Sequence, residues 1–141
     1  MSKKISIAID AMGGDNSPDK IIQGIKIFLD KNRTKKDFII NLFGKEKIIL
    51  DKLKDYKISS DTINVINSET VISDEETPLT AVKSSRGTSM WNCIKHQLDG
   101  KSDISLSAGN TGVLLVISRM ILKMMNEVSK PALAGLWPSQ A

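Results

Sequence analysis

Residues 5–15 have the sequence Ile5-Ser-Ile-Ala-Ile-Asp-Ala-Met-Gly-Gly-Asp15, and this stretch decides how the chain folds. Its β-branched first half is typical of a parallel strand that is buried on both faces. The strand ends in glycines and carboxylates, and apolar residues at helical spacing then continue to about Asn32. Ligands of open α/β sheets bind outside the carboxyl ends of the strands, so this junction predicts a binding site as well as a fold.

A second junction of the same kind has the sequence Asp103-Ile-Ser-Leu-Ser-Ala-Gly-Asn-Thr-Gly112. Here too an apolar run ends in glycines and small polar residues before a helix-like segment. The N-terminus of a helix offers unpaired N–H groups and a partial positive charge, which suits an anion. Together the two junctions predict one site for a phosphate-bearing ligand, shared between two loops.

Strand and helix patterns alternate along the rest of the chain, which indicates βαβ units and a mostly parallel sheet. We therefore expect a single three-layer α/β/α domain over residues 1–141. Ser17 and Pro18 are expected to cap and begin the first helix, and Thr77-Pro78 repeats that signal. Further strands are predicted at Phe38–Phe43, Thr62–Ile66, Ile104–Ser107 and Ala132–Trp137, and further helices over 45–55, after Pro78, over 88–98 and from the second junction to about Met125.

Composition excludes several classes of protein. The net charge is only +4 and aromatic residues make up 4%, which argues against nucleic-acid binding. Cys93 is the only cysteine, so an intrachain disulfide and a thiolate metal cluster are excluded, and we expect a buried helical thiol. His96 is expected to be exposed, and Met120, Met124 and Met125 to face the core. No signal peptide or spanning segment is evident, which favours a cytoplasmic location.

Two side chains are candidates for chemistry. Asp10 lies at the end of the first strand, where a carboxylate needs partners; it could orient donors or act as a base. Asn110 brings a short polar side chain next to the N–H groups of the following helix. The other candidates are phosphate or substrate contacts: Gly13, Gly14, Asp15, Lys83, Arg86, Ser107, Gly109, Thr111 and Gly112.

Each candidate also has a purely structural interpretation. Asp15 could stabilise a helix N-terminus, residues 107–112 could be a tight turn with a cap, and Lys83 with Arg86 could be a solvated basic turn. No metal site is predicted. Residues 107–112 lack both the nucleotide P-loop pattern and the dinucleotide fingerprint, which disfavours a nicotinamide-dependent dehydrogenase.

The motifs resemble those of a known family. Ile7-Ala-Ile-Asp-Ala-Met-Gly-Gly-Asp15 with Pro18, and Ser107-Ala-Gly-Asn-Thr-Gly112 with the Val-Leu-Leu that follows, look like the two hallmarks of PlsX-type phosphate acyltransferases. Residues 69–78, Ser89-Met90 and 130–138 fall in matching order between and after them. The resemblance covers essentially the whole chain.

This resemblance implies transfer of a fatty acyl group from acyl carrier protein to inorganic phosphate, giving acyl phosphate for phospholipid synthesis. It implies a fold related to phosphotransacetylases and isopropylmalate dehydrogenases, no cofactor, a homodimer at full length, and peripheral association with membrane. The chain is less than half the family's usual length, so we expect an N-terminal portion of the fold. The alternative function is a truncated, inactive module that binds phosphate or a partner.

Overall fold

The computed structural model describes residues 4–32, 34, 37–59, 61–73 and 75–135. Strands and helices alternate through most of this part of the chain, as predicted. The strands are β1 (Ile5–Asp10), β2 (Phe38–Gly44), β3 (Ile63–Asn67) and β4 (Ile104–Ser107). The helices are α1 (Asp19–Lys31), α2 (Glu46–Asp55), α3 (Pro78–Ser84), α4 (Ser89–Leu98) and α5 (Thr111–Leu122).

The four strands form one all-parallel sheet in the order β3-β2-β1-β4. The predicted α/β fold class is confirmed. Because all strands run the same way, their carboxyl ends meet at one edge. β1 lies in the middle of the sheet, and its last residue, Asp10, is paired in register with Ser107 of β4.

Helices pack on both faces of the sheet. On one face Ile40 and Leu42 of β2 pack with Ile22 and Ile25 of α1, and α2 joins the same cluster. On the opposite face, Ala8 and Phe43 pack against Cys93 of α4. Alternate residues of β1 and β2 therefore serve opposite faces, as the period of a strand requires.

A third apolar cluster joins the last three helices to one another. Met90 and Ile94 of α4 pack with Val113, Ile117 and Ile121 of α5, and α3 contributes Ala81. This cluster fixes the start of α5 beside the carboxyl edge of the sheet, which is where the second junction lies.

Several local predictions are wrong. Ser17 does not cap α1: its hydroxyl donates to the carbonyl of Gly13, and the helix begins after Pro18 without a side-chain cap. α5 ends at Leu122 rather than near Met125. Residues 132–135 form no strand, and the rest of that predicted strand lies outside the described residues.

Burial also differs from expectation at the methionines and the histidine. Met120 is 47% exposed and Met125 is 80% exposed, because nothing in the described part of the chain packs over that end of α5. His96 is partly buried: its Nδ1 lies 2.8 Å from Ser102 Oγ, and its ring meets Phe43 edge-on. Among the described helices, none is long and apolar enough to cross a membrane.

Candidate functional site

The two junctions meet at the carboxyl edge of the sheet. Because β1 and β4 are neighbours, the loop after Asp10 faces the loop after Ser107. Between them lies a cleft of about 400 Å³, lined by Gly14, Asp15 and residues 108–112, and we call this the cleft. The structure therefore brings together most of the residues that the sequence placed in one site.

Two glycines allow the loops to approach this closely. A Cβ at Gly13 would lie 2.5 Å from Asp10 Oδ2 and 2.9 Å from the backbone nitrogen of Gly109. Gly14 has φ +88°, and a Cβ there would lie 2.5 Å from the carbonyl oxygen of Ala108. A side chain is therefore disfavoured at Gly13 because of close contacts, and at Gly14 because of both close contacts and the positive φ.

Asp10 connects the two loops through hydrogen bonds. It is 1% exposed, and its Oδ1 accepts the Met12 N–H at 3.2 Å while its Oδ2 accepts the Ser107 hydroxyl at 2.8 Å. Ser107 Oγ in turn accepts the Gly109 N–H at 3.2 Å. The carboxylate is therefore bonded directly to one loop and, through Ser107, to the other.

The protonation of Asp10 depends on its burial. Burial raises the pKa of its carboxyl above the usual value, while the nearby hydroxyls of Ser89 and Ser107 and two backbone N–H groups act to lower it. Of the two hydroxyls only that of Ser107 forms a well-defined hydrogen bond, because Ser89 Oγ has no partner among the described residues.

Asn110 is the N-cap of α5. Its side-chain oxygen accepts the Val113 N–H at 3.1 Å, and its Nδ2 donates to the carbonyl of Glu76 at 3.3 Å. The cap supports the structural interpretation of this residue. The N–H groups of Thr111 and Gly112 lie in the first turn of the helix, where no carbonyl of the same helix can accept from them.

The charged candidates do not all reach the cleft. Asp15 is exposed and lines it. Lys83 is exposed in the last turn of α3, and Arg86 lies over the ring of Trp91, 6.0 Å from its centroid; neither lines the cleft. Their role in phosphate binding stays a prediction. Among the described residues no lysine or arginine lines the cleft, so its anion affinity depends on backbone N–H groups and the start of α5.

The thiol of Cys93 does not line the cleft. Cys93 is buried as predicted, and burial raises the pKa of its thiol to about 12, which removes it as a nucleophile at neutral pH. In the part of the chain that the structure describes, no group of three or more metal-ligating side chains is gathered in one place.

Comparison with known proteins agrees with the motifs. The model of the family described as fatty acid synthesis protein matches residues 5–141. The chain belongs to this family. A phosphate acyltransferase of Pelagibacter ubique is 43% identical over 140 residues, which is 99% of this chain and 40% of the relative. A phosphate acyltransferase of Ehrlichia ruminantium is 35% identical over 136 residues, which is 96% of this chain and 40% of that relative.

The resemblance drawn from the two junctions is thus confirmed, and the family extends over nearly all of the chain. The chain spans about 40% of the length of these curated relatives. The activity, substrates and partners of a whole protein are therefore matters for proposal.

Proposed function

We propose that this chain carries the phosphate site of an acyltransferase that moves a fatty acyl group from acyl carrier protein to inorganic phosphate, giving acyl phosphate for phospholipid synthesis. Its relatives are named phosphate acyltransferases, which supports the reaction class. The observation that carries the proposal is the cleft, in which two glycine loops meet beside the N-terminus of α5.

The chemistry needs few side chains. A phosphate oxygen attacks the carbonyl carbon of the thioester, the C–S bond breaks, and the thiolate leaves on the carrier with the proton that hydrogen phosphate brought. Preorganised N–H groups stabilise the oxyanion that forms on the carbonyl oxygen. In this proposal the first-turn N–H groups of Thr111 and Gly112 hold phosphate or that oxyanion.

Asp10 is assigned here as the residue that positions the loops. Its two oxygens are occupied by Met12 and Ser107, and it is almost inaccessible, which does not suit a base that must reach substrate. Asp10→Asn retains two of these contacts in altered form, because an amide oxygen still accepts from Met12 and an amide NH₂ can donate to Ser107. If Asp10 only positions the loops, the variant keeps both phosphate binding and turnover; a variant that binds phosphate normally yet has no turnover would instead make Asp10 the base.

Thr111→Pro tests the site directly. Proline suits the first position of a helix and removes only the N–H there. The preceding Asn110 has ψ 117°, which a following proline tolerates. We expect phosphate affinity, measured by calorimetry or ³¹P NMR titration, to fall roughly tenfold or more, because a hydrogen bond to a charged group is lost. Thr111→Ala keeps the N–H and is the matched control; equal affinity in both variants would contradict the assignment.

Turnover is tested with an acyl carrier protein thioester and phosphate, by trapping acyl phosphate with hydroxylamine. A second candidate function is phosphate binding without turnover. It is favoured by the composition of the cleft, whose lining residues include no histidine, lysine or arginine among those described. Binding of phosphate without product would establish the second candidate. A homodimer, a cytoplasmic location and peripheral membrane association stay predictions.

A further inference from the structure

Ser89, the first residue of α4, has a buried hydroxyl without a hydrogen-bond partner. The residue is 1% exposed, and its Oγ is the one buried side-chain oxygen or nitrogen in the described part of the chain that lacks a partner. Burial of a hydroxyl without a hydrogen bond is costly, and such groups are rare in native proteins. An acceptor close to Ser89 is therefore expected.

The first turn of α4 lies at the carboxyl edge of the sheet, because the helix runs antiparallel to β1. His96, in the last turn, bonds to Ser102, whose hydroxyl lies 3.1 Å from that of Ser6 near the start of β1. Met90, in the first turn, lies against the second junction, since a Cβ at Gly109 would be 2.9 Å from the Met90 Cε. The N-terminus of α4 therefore lies at the end of β1, beside the loops of the cleft.

Asp10 is the acceptor that this packing brings to Ser89. Cys93 packs against Ala8 of β1, and Ser89 lies one turn earlier on the same face of α4. Asp10 follows Ala8 by two residues and so lies on the same face of the sheet. Four residues of a helix advance about 6 Å and two residues of a strand about 6.6 Å, so the two steps match. Ser89 also acts to lower the pKa of the Asp10 carboxyl, as this proximity requires.

The Asp10 carboxylate can accept another hydrogen bond. Its two oxygens offer about four acceptor positions. The Met12 N–H and the Ser107 hydroxyl occupy two of them. A serine hydroxyl rotates to suit its acceptor, and the partial positive charge at the start of α4 favours the same ionised carboxylate.

We propose that Ser89 is a positioning residue of the cleft, whose hydroxyl donates to the Asp10 carboxylate and keeps it in the ionised form that links the two loops. A protonated Asp10 loses an acceptor position, which weakens its bonds to Met12 and Ser107. Cys93 is the titratable group of α4 that faces Asp10, and its thiol stays neutral because burial raises its pKa to about 12. The inference rests on the proposed function where phosphate binding is the readout.

The pKa of Asp10 tests the contact without any ligand. Carbon-13 NMR of the side-chain carboxyl gives this pKa, and Asp10→Asn assigns the signal by removing it. We expect a higher pKa in Ser89→Ala, because a donor to the charged form is lost. Ser85→Ala is the matched control, since Ser85 is also buried but its hydroxyl donates to the Val82 carbonyl. It should leave the pKa of Asp10 unchanged.

Ser89→Thr tests whether the hydroxyl itself is responsible. Threonine keeps the hydroxyl at the first position of α4, so the pKa of Asp10 should stay close to that of the native chain. Circular dichroism checks that all variants are folded.

Phosphate affinity gives a second readout, which a loss of packing alone would not produce. Calorimetric titrations of the native chain and Ser89→Ala are compared from pH 5.5 to pH 8. The variant should bind phosphate about threefold more weakly at pH 5.5, where loss of the donor favours protonation of Asp10. The difference should shrink toward pH 8, because Asp10 is then ionised in both proteins. The titration of phosphate itself is common to both and cancels in the ratio.

Several results would overturn the proposal. One is a pKa of Asp10 that is unchanged in Ser89→Ala, or that rises equally in Ser85→Ala or Ser89→Thr. Another is a loss of affinity that does not depend on pH, because Ser89 would then act through packing. Failure of Ser89→Ala to fold would show that the residue supports the fold itself, and would also overturn it. Absence of phosphate binding in the native chain, with the pKa of Asp10 raised in Ser89→Ala, would count against the proposed function and leave the contact standing.

Discussion

Gly14 is the residue at which the cleft depends most directly on a missing side chain. Its φ of +88° and the 2.5 Å separation between an added Cβ and the Ala108 carbonyl oxygen both disfavour alanine. We expect Gly14→Ala to lower the free energy of unfolding by about 1–3 kcal/mol. Gly24→Ala, where a Cβ meets nothing, should raise it by about 0.5–1 kcal/mol. Urea denaturation of both variants checks the prediction, and a shift of the two in the same direction would contradict it.

His96 should make stability depend on pH. Burial and the charge of Lys101 lower the pKa of its imidazole, with Asp99 acting in the opposite direction. The unfolded chain therefore binds more protons than the folded one at pH values below the ordinary pKa of about 6.5, so stability is lost as the pH falls through that window. Urea midpoints measured from pH 7.5 down to pH 5 should decrease, and His96→Gln should show a smaller decrease. An unchanged slope in the variant would assign the effect to another group.

At the scale of elements, α4 depends on its cap. Thr88 is buried, its Oγ1 accepts the Trp91 N–H at 3.2 Å, and the same hydroxyl donates to the Ser85 carbonyl at 2.7 Å. Thr88→Val preserves the shape of the side chain but removes both bonds, and we expect a loss of about 1–2 kcal/mol in the free energy of unfolding. Thr88→Ser keeps the hydroxyl and should lose less. The measurement is urea denaturation followed by circular dichroism; equal losses would mean that packing of the methyl group, and not the cap, is responsible.

The capping signals also show what local sequence predicts well. Thr77-Pro78 begins α3 as expected, because the threonine hydroxyl accepts from a backbone N–H within its own turn. The same signal at Ser17-Pro18 is misleading, since Ser17 bonds back to the Gly13 carbonyl instead. The sequence signal is the same at both positions, but at Ser17 the carbonyl of Gly13, four residues earlier in the same loop, takes the hydroxyl.

The prediction of buried positions along α5 from sequence has a similar limit. The helical spacing of apolar residues correctly indicates a helix, and Val113, Ile117 and Ile121 are buried. The spacing does not say which turns have a neighbour, and Met120 and Met125 are exposed because none of the described elements covers them. The spacing of apolar residues thus predicts a helix and its apolar face. Which turns of that face are buried depends on the elements that pack against it.

For the whole molecule, the site depends on an arrangement that the sequence does not specify. Alternating patterns predict a parallel sheet, but the order β3-β2-β1-β4 makes neighbours of strands that lie far apart in the chain. The bond between Asp10 and Ser107 spans 97 positions. Each junction is recognisable in the sequence as an anion loop, and a shared site is expected because ligands bind at the carboxyl ends of strands; the sequence does not show that β1 and β4 are neighbours.

The outer edge of β4 should promote self-association of this chain. In the part of the chain that the structure describes, β4 pairs only with β1, and Ile104 and Leu106 are 45% and 47% exposed. An apolar strand edge without charges is a template for pairing with another copy. We expect the average mass in sedimentation velocity to rise with concentration, and Ile104→Lys to reduce that rise. Ile5→Lys changes an isoleucine of the inner strand β1 that is 55% exposed and should have a smaller effect. A concentration-independent monomer, or equal effects of the two lysines, would show that the β4 edge does not drive association.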